Sequence, residues 1–223
     1  MERRTFLTGG LLLGSGLLAG IVSACTPRTE RPLPDPGDTE RARETSPTPS
    51  GPGRTLLAYF SRPGENYYYG DRIDLDVGNT QVVAEMIAAA ADVDVYRIEA
   101  ADPYPHSYEE TVARNVREEQ DDARPAIANP LPDLAAYDTV LLGSPVWNVQ
   151  TPMIMRTFVD GADLAGRTIH PFVTYAVSGM GGVARDYAEL CPAATIGDGL
   201  AVRGEEATAA RTEVEAWLRR IGL

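Results

Sequence analysis

The run Thr55-Leu56-Leu57-Ala58-Tyr59-Phe60-Ser61 is followed, after a break, by Gly78-Asn79-Thr80-Gln81-Val82-Val83. The first run is apolar without alternation, which suits a strand covered on both faces, as in a parallel sheet. The second opens a helical spacing of apolar residues through Val82, Val83, Met86, Ile87 and Ala90. Outward from this strand–loop–helix unit the pattern repeats. Residues 93–98 alternate as a second strand, and Ser107-Tyr108-Glu109-Glu110 forms a capping box with Glu110 reaching back. The charged helix it opens runs to about Asp122, and its acid run 118–122 reads as a solvated end. Residues 139–143 form a buried strand, and Thr151-Pro152 begins a helix with Pro at its first position. A strand over 171–177 leads to the turn Ser178-Gly179-Met180-Gly181-Gly182 and a short helix over 183–190. A last strand at 199–202 precedes a helix with Val214, Trp217, Leu218 and Ile221 on one face, closed by Gly222. Strands alternating with helices predict an α/β doubly wound, three-layer sandwich of five parallel strands in the order 2-1-3-4-5.

Toward the N-terminus the composition changes. Residues 1–25 place Arg3 and Arg4 before a Gly-rich apolar run that ends Val22-Ser23-Ala24-Cys25. This reads as an export signal with a lipoprotein cleavage site, Cys25 being the lipidated residue. The competing reading is a plain membrane anchor, since roughly 20 apolar residues span a bilayer. Arg-Arg-x-Phe-Leu resembles the twin-arginine signal, whose machinery exports folded proteins, with Glu2 where Ser or Thr is usual. Residues 26–53 hold seven prolines among Thr, Glu, Arg and Ser and read as a tether. Residues 54–223 then form one domain, which carries the whole net charge of −12.

Composition excludes several chemistries. All 20 basic residues are Arg, so no lysine is present for a Schiff base or a Walker-type nucleotide site. Cys25, Cys191, His106 and His170 are too few and too scattered for a Cys/His metal cage or a disulfide framework, and no metal ligand is assigned. The acidic balance opposes nucleic-acid binding through phosphates. Cys191 reads as a buried thiol rather than a nucleophile.

In a doubly wound sheet, ligands bind outside the carboxyl ends of the strands, at the switch in strand order. The loops meeting there span 61–80, 144–151 and 177–182. The first offers Ser61, Gly78, Asn79 and Thr80 at a helix start, where hydroxyls and backbone N–H groups make an anion site without a basic side chain. Taken alone, Asn79 or Thr80 is better read as a helix cap. The second holds Pro145, Val146, Trp147 and Asn148; its indole either stacks on a planar ligand or packs over its neighbours. The third supplies the flexible backbone of Ser178 and Gly179. Together they suit a ligand with a phosphate at one end and an aromatic ring at the other.

Ser61-Arg62-Pro63-Gly64, Gly78-Asn79-Thr80, Gly143-Ser144-Pro145-Val146-Trp147 and Ser178-Gly179-Met180-Gly181 resemble the flavodoxin-like, FMN-binding family over essentially all of 54–223. The resemblance implies that Ser61, Gly78, Asn79 and Thr80 hold the FMN phosphate. It implies that Pro145, Val146, Trp147 and Asn148 line the isoalloxazine, with Ser178 and Gly179 on its far edge. The phosphate loop departs from the family pattern, because residues 65–77, with Tyr67, Tyr68 and Tyr69, interrupt it. Those tyrosines either cover the flavin, form a docking surface or are solvated filler. If the insert loops out, Gly78-Asn79-Thr80 still reaches the phosphate.

Three functions are compatible with this reading. The first is an FMN electron carrier, lipid-anchored outside the cytoplasmic membrane and serving redox partner proteins or small quinone-like acceptors. The second is an FMN-dependent NAD(P)H quinone or nitro reductase. The third is a binding module that has lost its flavin. No separate dinucleotide fingerprint is present, which favours the carrier, and no catalytic residue is assigned. Negative charge disfavours an anionic reduced flavin and steers basic partners.

Overall fold

The computed structural model describes residues 53–223. The readings of an export signal, of Cys25 and of a tether over 26–52 lie outside the described residues.

The first strand, β1 (Arg54–Phe60), is buried from Thr55 onward. Leu56, Ala58 and Phe60 face one core, whereas Leu57 and Tyr59 face the other. That two-sided burial is the reason its sequence does not alternate. Next come a hairpin, β2 (Gly64–Tyr68) and β3 (Asp71–Leu75), then α1 (Asn79–Ala90) and β4 (Asp94–Ile98). The chain continues through α2 (Tyr108–Gln120), β5 (Tyr137–Pro145), α3 (Met153–Gly161) and β6 (Thr168–Tyr175). It ends with α4 (Val183–Leu190), β7 (Thr195–Ile196), β8 (Leu200–Arg203), a 3-10 turn (Gly204–Ala209) and α5 (Arg211–Ile221).

The parallel sheet runs β4-β1-β5-β6, with β7 and β8 both paired to the outer side of β6. The expected order 2-1-3-4-5 is therefore the order found, with its fifth place divided between two short strands. The division has a cause in the sequence. β7 pairs with Thr168 and Ile169 and β8 resumes at Phe172, so the gap lies opposite His170 and Pro171. Pro171 has no N–H to donate to a ladder, and His170 Nδ1 instead meets the Asp198 carbonyl at 3.0 Å. The strand expected to start at Pro171 begins three residues earlier and ends at Tyr175.

Helices α3 and α4 cover one sheet face through Ile154, Met155, Phe158, Val183 and Tyr187. Helices α1 and α5 cover the other through Val83, Ala84, Ile87, Val214, Trp217 and Leu218. Trp217 is fully buried and its Nε1–H donates to the Asp198 carbonyl at 3.1 Å. Gly222, at φ +88°, closes α5 in the left-handed conformation.

Three local expectations change. Pro152 is the cap of α3 rather than its first helical residue. Ser107 does cap α2, its Oγ accepting the Glu110 N–H at 3.4 Å, but the Glu110 carboxylate does not return a bond to the Ser107 N–H. Glu65 of the hairpin accepts the Tyr108 N–H at 3.0 Å, satisfying a helix-end donor across the fold. Glu118, expected in solvent, is buried: it accepts from the Tyr104 hydroxyl at 2.9 Å and pairs with Arg114 at 2.7 Å.

Candidate functional site

At the carboxyl edge of the sheet, the residues between Ser61 and Gly78 leave the core as the β2–β3 hairpin and return beside their starting point. A methyl group placed on Gly78 would lie 2.5 Å from Ser61 Oγ and 2.4 Å from the Arg62 carbonyl oxygen. Only a residue without a side chain allows that approach. Gly78 caps α1 with no side-chain bond of its own. Ser61 Oγ instead accepts the Gln81 N–H at 3.1 Å. The serine thus caps the helix from a neighbouring strand, so neither Asn79 nor Thr80 is the cap. The N–H groups of Asn79 and Thr80, the first two of the helix, have no intrahelical acceptor and make up the positive end of the helix dipole.

One pocket gathers Ser61, Asn79, Thr80, Pro145, Val146 and Trp147, six of the residues singled out in the sequence. Gly78 stands just behind it against Ser61. Tyr67 of the insert and Arg62 of the quoted motif also line it, and residues that sequence reasoning passed over complete the lining, Asn66, Thr174, Tyr175 and Glu205 among them. Thr174 and Tyr175 end β6 at the functional edge, a positional signal available in the sequence. Thr80 Oγ1 and Thr174 Oγ1 are 2.7 Å apart, so the start of α1 and the end of β6 share a hydrogen bond beneath the pocket.

Two charges border the pocket. Arg62 is buried, and its guanidinium donates to the carbonyls of Pro105 at 2.8 Å, His106 at 3.0 Å and also Glu65. Those bonds fasten the hairpin to the start of α2 and leave little of the guanidinium for a ligand. Glu205 accepts the Tyr69 N–H on Oε1 at 3.0 Å, while Oε2 is buried with no partner. An unpaired carboxylate oxygen in a pocket lining is an acceptor suited to a ligand O–H or N–H.

Trp147 packs edge-on against Phe60, centroids 5.6 Å apart, and against Tyr104 at 5.0 Å. The packing reading of this indole is therefore the one the contacts bear out, and Trp147 also borders the pocket. Tyr104 is fixed from behind by Glu118, by Arg114 over its ring at 4.0 Å, and by burial, which with the Glu118 charge pushes its phenol far up. The loop after Trp147 is a tight turn in which Trp147 and Gln150 exchange backbone hydrogen bonds of 3.2 and 3.0 Å. Asn148 and Val149 both have positive φ, +47° and +67°. For a β-branched residue this is strained, and the Gly182 N–H, donating to the Val149 carbonyl at 2.7 Å, helps to hold it.

Asn148, Ser178 and Gly179 do not line this pocket. The Asn148 side chain donates to Glu119 Oε2 on α2 at 2.6 Å. Ser178 and Gly179 lie in the turn that supports the Trp147 loop from outside, through Gly182. Cys191 is buried at the end of α4, and burial pushes its thiol up to about 11, the state of an inert structural cysteine. Among the described residues no three His, Cys, Asp or Glu side chains gather as a metal site.

The arrangement is a helix N-terminus with free N–H groups and hydroxyls at one end and an aromatic wall at the other, with an orphan acceptor between them. It matches an elongated ligand with an anionic tail, a hydroxylated middle and a planar head. Known proteins similar to the chain include three flavoproteins. The chain is 29% identical to a protein assigned as a flavoprotein from Bacteroides uniformis, with 75% of this chain and 99% of that one covered at a TM-score of 0.60. It is 28% identical to one from Bacteroides eggerthii, with 77% and 99% covered and a TM-score of 0.62. A flavoprotein from Lactobacillus acidophilus, solved in complex with FMN, is 19% identical with 70% and 97% covered; its TM-score of 0.52 speaks for the fold alone. None of the curated proteins compared with the chain matches it. The family profile described as Flavodoxin matches residues 75–221, from the end of the hairpin through the last helix, and the chain belongs to the flavodoxin family.

Proposed function

We propose that this protein binds FMN in the pocket between Ser61 and Trp147 and carries electrons between partners outside the cytoplasmic membrane. The observation that carries the proposal is the open start of α1 beside an aromatic wall. The N–H groups of Asn79 and Thr80, with the nearby Ser61 hydroxyl, supply neutral donors for a phosphate. Trp147 and Tyr175 supply surface for a tricyclic ring, and Glu205 Oε2 supplies an acceptor for a hydroxyl of the ribityl chain. Bound flavin would supply one- or two-electron redox chemistry. The residues around it set access and potential.

Anchoring through lipid on Cys25, export of the folded protein by the twin-arginine route, and exchange with basic redox proteins or small quinone-like acceptors belong to the same proposal. The sequence motif at residues 1–25 and the net charge of −12 support these parts.

The carrier and reductase readings separate under anaerobic conditions. With FMN loaded, dithionite bleaches the visible flavin bands, whereas NADH or NADPH at millimolar concentration leaves them unchanged over minutes. Rapid bleaching by either nucleotide would assign the protein as a reductase instead.

A further inference from the structure

A second chamber, of about 230 Å³, lies against α2 and adjoins the pocket at the helix start, with which it shares Arg62, Asn66, Tyr108, Val146 and Trp147. Its apolar walls are Val112 and Val116 of α2, Val146 and Trp147 of the loop, and the Tyr108 ring. Asn66 of the hairpin, with Arg62 just before it, closes one side.

One polar group in the lining is out of keeping with these walls. Asn115 is only 4% exposed, yet its Oδ1 is buried with no hydrogen-bond partner. An amide could turn over to relieve that, but here it is held. Asn115 Nδ2 donates at 2.7 Å to Glu119 Oε1, and a carboxylate can only accept. Glu119 is itself fixed by Asn148 on its other oxygen. The orientation of Oδ1 therefore follows from the charge on Glu119. Thr111, also in the lining, has its hydroxyl proton claimed by the carbonyls of Pro105 and Ser107, at 3.0 and 2.9 Å. Arg62 is likewise committed to backbone carbonyls.

We infer that this chamber binds a small neutral aromatic alcohol, a phenol or hydroquinone, whose O–H donates to Asn115 Oδ1. The apolar walls, with Trp147 and Tyr108 among them, favour a flat ring. The orphan acceptor selects a donor on its edge. The Glu119 carboxylate behind the amide opposes an anionic ligand. The volume lies below the roughly 300–1,000 Å³ of drug-sized sites, which limits the guest to about one ring. The inference goes beyond the cofactor proposal and rests on Val112, Asn115 and Val116 of α2, which line this chamber and not the pocket at the helix start.

Titrating the full-length protein with hydroquinone and with 1,4-dimethoxybenzene, followed by the Asn115 side-chain amide signals in NMR, tests it. The pair shares a ring and differs in the donor. Hydroquinone is expected to bind about tenfold more tightly, the equivalent of one hydrogen bond, and to shift the Asn115 signals. N115L is expected to erase the preference while leaving the ether unaffected. E119Q offers a test with little risk to the fold: its amide can donate, so Asn115 is free to turn and the preference should fall severalfold. Equal binding of the two probes, binding of neither, or an unchanged preference in both variants would overturn the inference. Repeating the titration with FMN added separates the two sites. Unaltered hydroquinone affinity fits distinct chambers, whereas displacement by FMN would make this space part of the cofactor pocket and refute a separate site. Failure of FMN to bind would touch only the proposed function.

Discussion

Replacing Arg62 by Met lowers stability by about 3 kcal/mol, because three backbone carbonyls lose a donor at about 1 kcal/mol each. The acceptors are those of Pro105, His106 and Glu65, and together they tie β1, the hairpin and the start of α2 into one unit. Met keeps most of the buried aliphatic stem, so the loss reports hydrogen bonds more than packing. Lys does not rescue: its single ammonium cannot reproduce the fork that reaches three separated oxygens. For a domain of this size the change corresponds to a fall in Tm of roughly 6–12 °C. Amide exchange should locate the damage, with faster exchange across β2, β3 and the first turn of α2 and near-native protection in β5 and β6. Uniformly faster exchange would mean that Arg62 supports the whole core rather than the hairpin.

The second large effect is on the site itself. Gly78→Ala puts a methyl group where Ser61 Oγ and the Arg62 backbone already stand, at 2.5 and 2.4 Å. Backbone cannot swing aside as a flexible side-chain tip can, so either α1 retreats or the end of β1 does. In both cases Ser61 Oγ and the N–H groups of Asn79 and Thr80 no longer converge. Two hydrogen bonds to a charged phosphate are worth about 3 kcal/mol together at the low end of their range. FMN affinity is then expected to fall about 100-fold. Overpacking adds a stability cost of about 1–3 kcal/mol. Isothermal titration separates the two effects if it is run well below the variant's Tm. Riboflavin, which lacks the phosphate, should be affected much less than FMN; equal losses for both would place the damage at the aromatic end instead.

These two residues also mark what the sequence made legible. The sheet could be read from Leu56 to Phe60 and from Val140 to Leu142, because burial on both faces leaves consecutive apolar residues. The helix start at Asn79 was visible from its spacing, and the right-handed crossover rule brought Trp147 to the same edge. What escaped depends on contacts far apart in the chain. The tyrosine-rich insert gave no clear strand signal: its turn, Tyr69-Gly70, takes positive φ at both residues without an Asn-Gly pair to announce it. Arg62 sat in a recognised motif, yet two of its three acceptors lie more than 40 residues away. Glu118 was hidden in an acid run because only Tyr104 and Arg114 single it out. Glu205 and Asn115 carry unpartnered oxygens, a property that exists only once the fold has closed around them. Pro171 was the opposite case, a visible breaker whose effect fell on the neighbouring strand rather than on its own.

The account as a whole depends on flavin entering the pocket at the start of α1. Adding FMN to the purified, flavin-free protein while following flavin emission tests this directly. One equivalent should be taken up with its emission strongly quenched by the adjoining aromatic wall, and Trp147→Ala should restore much of that emission and weaken binding about tenfold. Emission that tracks free FMN throughout the titration, in wild type and variant alike, would contradict the account.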